Sequence, residues 1–118
     1  MNEISKHRLT QAKENLRLFD FLDIRAAAVT GSIAKGYGDD NSDIDTIVFP
    51  NNPMTQIEFD KIINGAKASG GDFYHGLPEE GFAVYYYIDG VRCDFGFAHY
   101  SETETLIAEM IEKPEVDL

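Results

Sequence analysis

The chain has 118 residues and is strongly acidic, with 21 aspartates and glutamates against 10 lysines and arginines and a formal net charge of −11. This length suits one domain with a single core, which we predict to span residues 1–118, and a hydrophobic content of 43% excludes a disordered chain. An acidic surface repels the phosphates of a nucleic-acid polymer, so we expect no such polymer as a partner.

The sequence also lacks the features of membrane and secreted proteins. No stretch approaches the roughly 20 apolar residues of a membrane-spanning helix, so no membrane association is expected. Residues 1–8 are polar and lack the apolar core of a signal peptide. The single cysteine, Cys93, excludes an internal disulfide framework, and together these features predict a cytoplasmic location.

The first predicted elements are a helix and a strand. Leu9, Ala12 and Phe19 recur at helical spacing with charged residues between them, which predicts an amphipathic helix over residues 2–22. Residues 25–30 are a mostly apolar run that ends at a glycine, and they predict the first strand.

A glycine-serine pair follows this strand directly. Gly31 and Ser32 form the pair, and residues 32–35 are predicted to open a short helix before a loop over residues 36–41. Backbone N–H groups at such a turn, together with a helix N-terminus, are suited to cradling a phosphate group. Gly31 and Ser32 are therefore candidate phosphate-binding residues.

Two aspartates then alternate along the next predicted strand, residues 43–50. Ten residues separate Ser32 from the sequence Asp43-Ile44-Asp45. Side chains at positions i and i+2 of a strand point to the same face, so Asp43 and Asp45 can converge on one hard cation. Carboxylate oxygens suit magnesium, which also takes substrate phosphates as ligands.

The following segment predicts a capped helix and an edge strand. Thr55 and Glu58 have the spacing of a capping box, which opens a helix that we predict to reach Ala68. The Ser-Gly-Gly sequence at residues 69–71 ends this helix, and residues 73–75 predict a short edge strand.

Residues 82–97 predict a β-hairpin. The Asp-Gly pair at positions 89 and 90 lies between aromatic and β-branched runs, which is a strong hairpin signal and sets the register. The expected opposite pairs are Ile88 with Val91, Tyr87 with Arg92, Tyr86 with Cys93, and Tyr85 with Asp94. One face of the hairpin is then apolar and turned to the core. The other face carries Tyr85, Tyr87, Arg92, Asp94 and Gly96.

The last predicted element is a helix that opens with a capping box at residues 101–104 and ends before Pro114. Its apolar stripe consists of Leu106, Ile107, Met110 and Ile111. We expect this stripe to dock on the sheet of its own chain, with docking on a partner protein as the alternative.

The stretch from Gly31 to Asp45 resembles the signature of the DNA polymerase β-like nucleotidyltransferase superfamily. It is most similar to the minimal nucleotidyltransferases and the small antibiotic nucleotidyltransferases, which carry glycine-serine, a spacer and two aspartates flanking one apolar residue. Lys35 departs from this subgroup, where arginine is commoner at that place. The resemblance implies an α/β (α+β) fold, in which a mixed sheet includes the C-terminal-side hairpin and helices pack on one face.

The resemblance further implies a third carboxylate on a later strand, and Asp94 on the polar face of the hairpin meets this requirement. The implied catalytic and metal-binding residues are Asp43, Asp45 and Asp94, and the implied nucleotide-binding residues are Gly31, Ser32 and Lys35. They would bind two magnesium ions, for which manganese can substitute, and a nucleoside triphosphate, with ATP as the expected donor. The implied reaction is transfer of a nucleoside monophosphate to a hydroxyl acceptor, which is either a small molecule or a partner protein.

Two alternatives stay open from the sequence. The same fold could serve as an antitoxin-like or regulatory nucleotide-binding module that acts on a helical partner protein. A glycosyltransferase that holds a nucleotide-sugar through Asp-x-Asp is the other alternative, although it leaves Gly31 and Ser32 unexplained. Because only residues 98–118 follow the last predicted strand, we expect a helical partner protein or a missing C-terminal domain to complete the acceptor site, with a stand-alone minimal enzyme as the alternative.

Overall fold

A five-stranded mixed sheet is the centre of the fold. The computed structural model describes residues 3–30 and 43–98. Its elements in chain order are α1 (Glu3–Asn15), a 3-10 helix (Leu16–Phe19), β1 (Ile24–Thr30), β2 (Ile44–Pro50), α2 (Gln56–Ala68), β3 (Asp72–Leu77), β4 (Gly81–Ile88) and β5 (Val91–Phe97). The strand order is β1-β2-β5-β4-β3, with β2 and β5 parallel and the other neighbours antiparallel. The predicted fold class is confirmed.

The helices pack on one face of this sheet, and the core lies between them. Phe19 of the 3-10 helix is fully buried, with edge-on ring contacts to Tyr86, Phe95 and Phe97. From α2, Ile62 joins the same cluster, and the Tyr86 hydroxyl donates a hydrogen bond of 2.7 Å to the Ile62 carbonyl oxygen. This apolar layer leaves the opposite face of the sheet for polar side chains.

The second helix begins and ends where the sequence predicts. The Glu58 backbone N–H donates to the Thr55 hydroxyl at 3.1 Å, and the Thr55 backbone N–H donates to the Glu58 carboxylate at 2.9 Å. These two bonds form the predicted capping box. After Ala68 the chain turns at Gly70, whose φ of +96° lies in the left-handed region that favours glycine.

The hairpin has the predicted register in every pair, from Tyr85 opposite Asp94 to Ile88 opposite Val91. Asp89 and Gly90 both have positive φ, at 53° and 77°. This is the backbone of a two-residue turn whose twist matches that of its strands, and an Asp-Gly pair adopts it readily.

Two elements differ from the prediction by more than one residue at a boundary. The predicted helix over residues 2–22 is α1 followed by the tighter 3-10 helix, because buried contacts fix its end. Asn15 is buried and its side-chain amide donates to the Cys93 sulfur at 3.4 Å. Apolar spacing does not distinguish the two kinds of helical winding.

The edge strand β3 is also longer than the predicted residues 73–75, since it spans Asp72–Leu77. All six of its residues are exposed, so no alternation of burial marks its ends. Backbone pairing with β4 defines it instead, with a register shift between Phe73 and His75.

Several predicted features lie outside the described residues. These are the short helix at residues 32–35, the loop at residues 36–41 and the C-terminal helix with its apolar stripe. Within the described part of the chain, no helix is both long and apolar enough to cross a membrane.

Candidate active site

Two neighbouring parallel strands bring aspartates from distant parts of the chain together. Asp45 of β2 and Asp94 of β5 are direct Cα partners in the sheet. Their strand neighbours Ile44 and Cys93 are fully buried on the helix side, so alternation directs both carboxyl groups to the opposite face. Asp43 precedes Asp45 by two residues and contributes to its electrostatic environment. The three predicted carboxylates therefore share one region of the sheet.

The proximity of these groups changes the protonation of Asp45. Partial burial raises the pKa of Asp45 to about 6, and the negative charge of Asp94, a hydrogen bond with it and the charge of Asp43 add to this effect. The positive charge of Arg92 opposes it. The raised pKa means that the ionised form of Asp45 is disfavoured, and a nearby cation would stabilise that form.

Arg92 is the cation that contacts this group of carboxylates. Its Nη2 and Nε atoms donate to Asp94 Oδ1 at 3.1 and 3.2 Å, and Nε also lies 3.3 Å from Oδ2. The distance from Nε to Asp43 Oδ2 is 3.9 Å. On its other side, the guanidinium lies 4.3 Å from the ring centre of Tyr85. Arg92 thus bridges two of the three aspartates while it stacks on an aromatic ring.

An open cleft of about 380 Å³ begins at these residues. Asp45, Asp94 and Arg92 line it, together with Tyr74 and His75. The rest of the lining comes from Thr30, Thr46, Ile47, Ala83, Phe95 and Gly96. Gly96 leaves open space above the sheet, since a side-chain carbon built there would meet no atom within 4 Å.

Tyr74 and His75 are site residues that sequence reasoning missed. The hairpin register predicted Tyr85, Tyr87 and Arg92 on the face of Asp94, and of these only Arg92 lines the cleft. The register shift in β3 brings His75 to the cleft. Phe73 pairs with Val84 on the core side, whereas His75 pairs with Ala83 on the cleft side. A bulge of this kind turns successive side chains in ways that a strict period of two does not predict.

A profile of the nucleotidyltransferase domain family matches residues 10–71, which is just over half of the chain. The chain belongs to the nucleotidyltransferase domain family. The matched segment includes Asp43 and Asp45 and ends before Asp94. This membership confirms the predicted superfamily and enzyme class, and it removes the glycosyltransferase alternative. A search of curated protein sequences gave no match.

Solved structures resemble this nucleotidyltransferase domain in fold. Cid1 poly(U) polymerase with MgGTP bound superposes with a TM-score of 0.58 at 17% identity, covering 94% of this chain and 36% of the polymerase. A cytoplasmic RNA terminal U-transferase superposes with a TM-score of 0.55 at 19% identity, covering 92% of this chain and 33% of that protein. The chain therefore spans about a third of the length of these relatives, and the likeness concerns the fold.

The donor atoms of the three predicted site carboxylates fit a hard divalent cation. Asp43, Asp45 and Asp94 offer carboxylate oxygens alone, which is the ligand chemistry of magnesium. Among residues 3–30 and 43–98, however, no three carboxylate, histidine or cysteine side chains are arranged closely enough to hold a metal ion. Arg92 pairs with two of the three aspartates, Asp43 and Asp94, and so occupies carboxylate oxygens that a metal ion would use. The predicted nucleotide-binding residues Gly31, Ser32 and Lys35 lie outside the described residues.

Proposed function

We propose that this domain transfers a nucleoside monophosphate from a magnesium-bound nucleoside triphosphate to a hydroxyl acceptor. The observation that carries the proposal is the pairing of Asp45 with Asp94 on adjacent parallel strands, with Asp43 close by, in a chain of the nucleotidyltransferase family. Two similar structures are named for bound MgGTP and bound MgATP, which supports a magnesium nucleotide as the donor. We take ATP as that donor.

In this proposal Asp43, Asp45 and Asp94 hold two magnesium ions, or manganese in their place. When bound, such ions neutralise the charge that develops on the transferred phosphoryl group. The raised pKa of Asp45 supports its assignment, because an electrostatically strained carboxylate is characteristic of functional sites. Asp94, which borders the cleft, is also positioned to accept the proton of the acceptor hydroxyl.

The triphosphate is assigned to the residues that follow β1. We propose that the backbone at Gly31 and the hydroxyl of Ser32 hold its phosphates and that Lys35 adds a positive charge. The support is positional, since Thr30 ends β1, is the Cα partner of Asp45 and lines the cleft. Thr30, the last described residue before this segment, thus lies beside one of the proposed metal-binding carboxylates.

The acceptor is assigned to the cleft between Asp94 and the pair formed by Tyr74 and His75. Gly96 and Ala83 are adjacent in the sheet and give this cleft a floor without large side chains. Such a floor suits a flat or ring-shaped group, with the aromatic pair as a side wall. We propose a small hydroxyl compound or a segment of a partner protein as the acceptor.

The relatives named for poly(U) and RNA terminal U-transfer raise RNA as another acceptor. The net charge of −11 disfavours it, because a polynucleotide would approach a surface of the same sign. RNA is therefore less favoured as the acceptor than a small hydroxyl compound or a partner protein.

The proposal is tested by measuring Mn²⁺–nucleotide binding and transfer from labelled ATP in Asp43→Asn, Asp45→Asn and Asp94→Asn. Each variant removes one ligand charge, so we expect transfer to be abolished and binding to weaken by at least tenfold. Asp60→Asn is the matched control, since Asp60 is exposed on α2 and its partner is Gln56. Unchanged metal–nucleotide affinity in both Asp43→Asn and Asp45→Asn would overturn the site assignment.

We further propose that a helical partner protein or a C-terminal domain completes the acceptor site. The support is that the chain spans about a third of its similar structures, and that the cleft is lined only from the sheet side among the described residues. Transfer from labelled ATP should be weak with the chain alone and should rise when a lysate or a neighbouring gene product is added. Strong transfer by the chain alone to a small hydroxyl compound would contradict this part of the proposal.

A further inference from the structure

Arg92 contacts two carboxylates of the site, Asp94 and Asp43, rather than one partner. Three of its donor–acceptor distances to Asp94 fall between 3.1 and 3.3 Å and involve both carboxylate oxygens. Hydrogen bonds between two ionised groups are the strong ones, and they hold a side chain in one geometry. In this arrangement the oxygens of Asp94 face a guanidinium group.

We propose that Arg92 is an internal counter-ion of the metal site, which holds Asp94 in the metal-free protein and releases it when a divalent cation binds. This inference rests on the proposed function and adds a positioning role to it. A carboxylate oxygen cannot donate the same lone pair to a metal ion and to an N–H group. Because Arg92 occupies lone pairs on both oxygens of Asp94, a metal ion that binds this carboxylate competes with Arg92 for it.

The charges of the site support a role for a resident cation. With all groups ionised, Asp43, Asp45 and Asp94 contribute −3 and Arg92 contributes +1, which leaves −2 in one small region. Arg92 contacts Asp94 directly and lies 3.9 Å from Asp43. It thus reduces the repulsion within the site, and it also reduces the attraction of the site for a divalent ion.

Tyr85 gives the guanidinium a second place of contact. Its ring centre is 4.3 Å from the Arg92 Cζ atom, so Arg92 can keep this contact while it leaves Asp94. Tyr85 is also the direct Cα partner of Asp94 in the hairpin. Tyr85 therefore offers the guanidinium a partner that remains after Asp94 is released.

The test is titration of the purified chain with Mn²⁺ alone, for the native protein, Arg92→Gln and Arg92→Lys. We expect Arg92→Gln to bind Mn²⁺ about tenfold more tightly, which corresponds to the loss of one competing hydrogen bond between charged groups. Arg92→Lys should fall between the two, because it keeps the charge and loses the planar donor geometry. Arg17→Gln is the control for net charge, since Arg17 lies on the 3-10 helix.

A second measurement on the native protein keeps the inference testable if Arg92→Gln does not fold. The nuclear magnetic resonance signal of the Arg92 Nε–H group should shift in step with added Mg²⁺, because its acceptor on Asp94 is lost. A signal that stays unchanged at saturating Mg²⁺ would overturn the inference. So would a gain in Mn²⁺ affinity in Arg92→Gln no larger than in Arg17→Gln.

The outcomes separate this inference from the proposed function. Mn²⁺ binding by the native protein that Asp45→Asn abolishes and Arg92→Gln leaves unchanged would remove the role of Arg92 and keep the metal site. Absence of Mn²⁺ binding in the native protein and in both Arg92 variants, with and without ATP, would remove both. Binding that becomes measurable only in Arg92→Gln would support both.

Discussion

At position 45 a partly buried carboxyl group lies beside two other carboxyl groups, so its charged form is less stable in the folded protein than in water. The pKa of Asp45 is raised from 3.8 to about 6. Between these values the folded protein binds more protons than the unfolded chain, so stability falls as the pH rises through this range. In the absence of metal, Asp45 therefore lowers the stability of the domain at neutral pH.

Replacing Asp45 should accordingly stabilise the metal-free protein. We expect Asp45→Asn to raise Tm by a few degrees at pH 7.5 in the presence of a chelator, because a neutral amide replaces a strained charge. The gain should shrink as the pH is lowered toward 4, because the carboxyl group of Asp45 is then protonated in the folded native protein and no longer carries a strained charge. Thermal unfolding followed by circular dichroism at both pH values is the measurement, with Asp60→Asn as the control. A lower Tm at pH 7.5 would contradict the argument.

Gly96 offers a second test at the scale of one residue. A side chain at this position enters open space above the sheet, so Gly96→Leu should fold with a Tm close to that of the native protein. It should also obstruct the cleft in which we place the acceptor. We expect Mg²⁺–ATP binding to be retained and transfer to fall by at least tenfold. Retained transfer in a folded Gly96→Leu protein would mean that the acceptor binds elsewhere.

At the scale of elements, α2 approaches β4 most closely where Gly65 faces Tyr86. A side-chain carbon at Gly65 would lie 2.7 Å from the Tyr86 hydroxyl oxygen, which is held by its bond to Ile62. The helix therefore approaches the sheet as closely as this hydroxyl permits.

A double-mutant cycle measures this contact. We expect Gly65→Ala to lower the free energy of unfolding by about 1–2 kcal/mol in the native background, because the added methyl group overpacks the contact. In the Tyr86→Phe background the same change should be neutral or stabilising, since the clashing oxygen is gone and alanine is the better helix former. Urea unfolding of the four proteins gives the coupling, and additive effects of the two substitutions would contradict the argument.

The elements that the sequence predicts well are those with a local cause. The hairpin register depends on a two-residue turn at Asp89 and Gly90, and the start of α2 depends on side chains at Thr55 and Glu58. The short 3-10 helix depends instead on distant contacts such as that between Asn15 and Cys93. No local pattern contains that information.

The site also combines features with a local cause in the sequence and features set by distant contacts. Alternation within strands and the family resemblance predicted that Asp45 and Asp94 share a face, and the parallel pairing of β2 with β5 makes them direct neighbours. The position of Tyr74 and His75 at the cleft follows from a register shift in an exposed edge strand. It could not be predicted, because that shift is fixed only by pairing with β4.

At the scale of the whole molecule, net charge is the property that separates an RNA acceptor from the others. We expect the chain to bind a short oligo(U) more weakly than about 100 µM at physiological salt, since its charge of −11 repels the phosphates and leaves little counterion release to drive binding. Fluorescence anisotropy with labelled oligo(U) is the measurement, with Mg²⁺ present. Tighter binding that weakens steeply as salt is added would instead favour an RNA acceptor.

Cys93, which accepts the hydrogen bond of Asn15, has a buried thiol whose chemical labelling measures local opening of the fold. It is the only cysteine in the sequence, it is fully buried, and burial raises the pKa of its thiol to about 11. A thiol reagent can therefore react only when β5 separates from the helices, and β5 carries both Arg92 and Asp94. We expect labelling by a thiol reagent to be slow and to slow further with Mg²⁺ and ATP, so that its rate measures how often the helices separate from the strand that carries these charges.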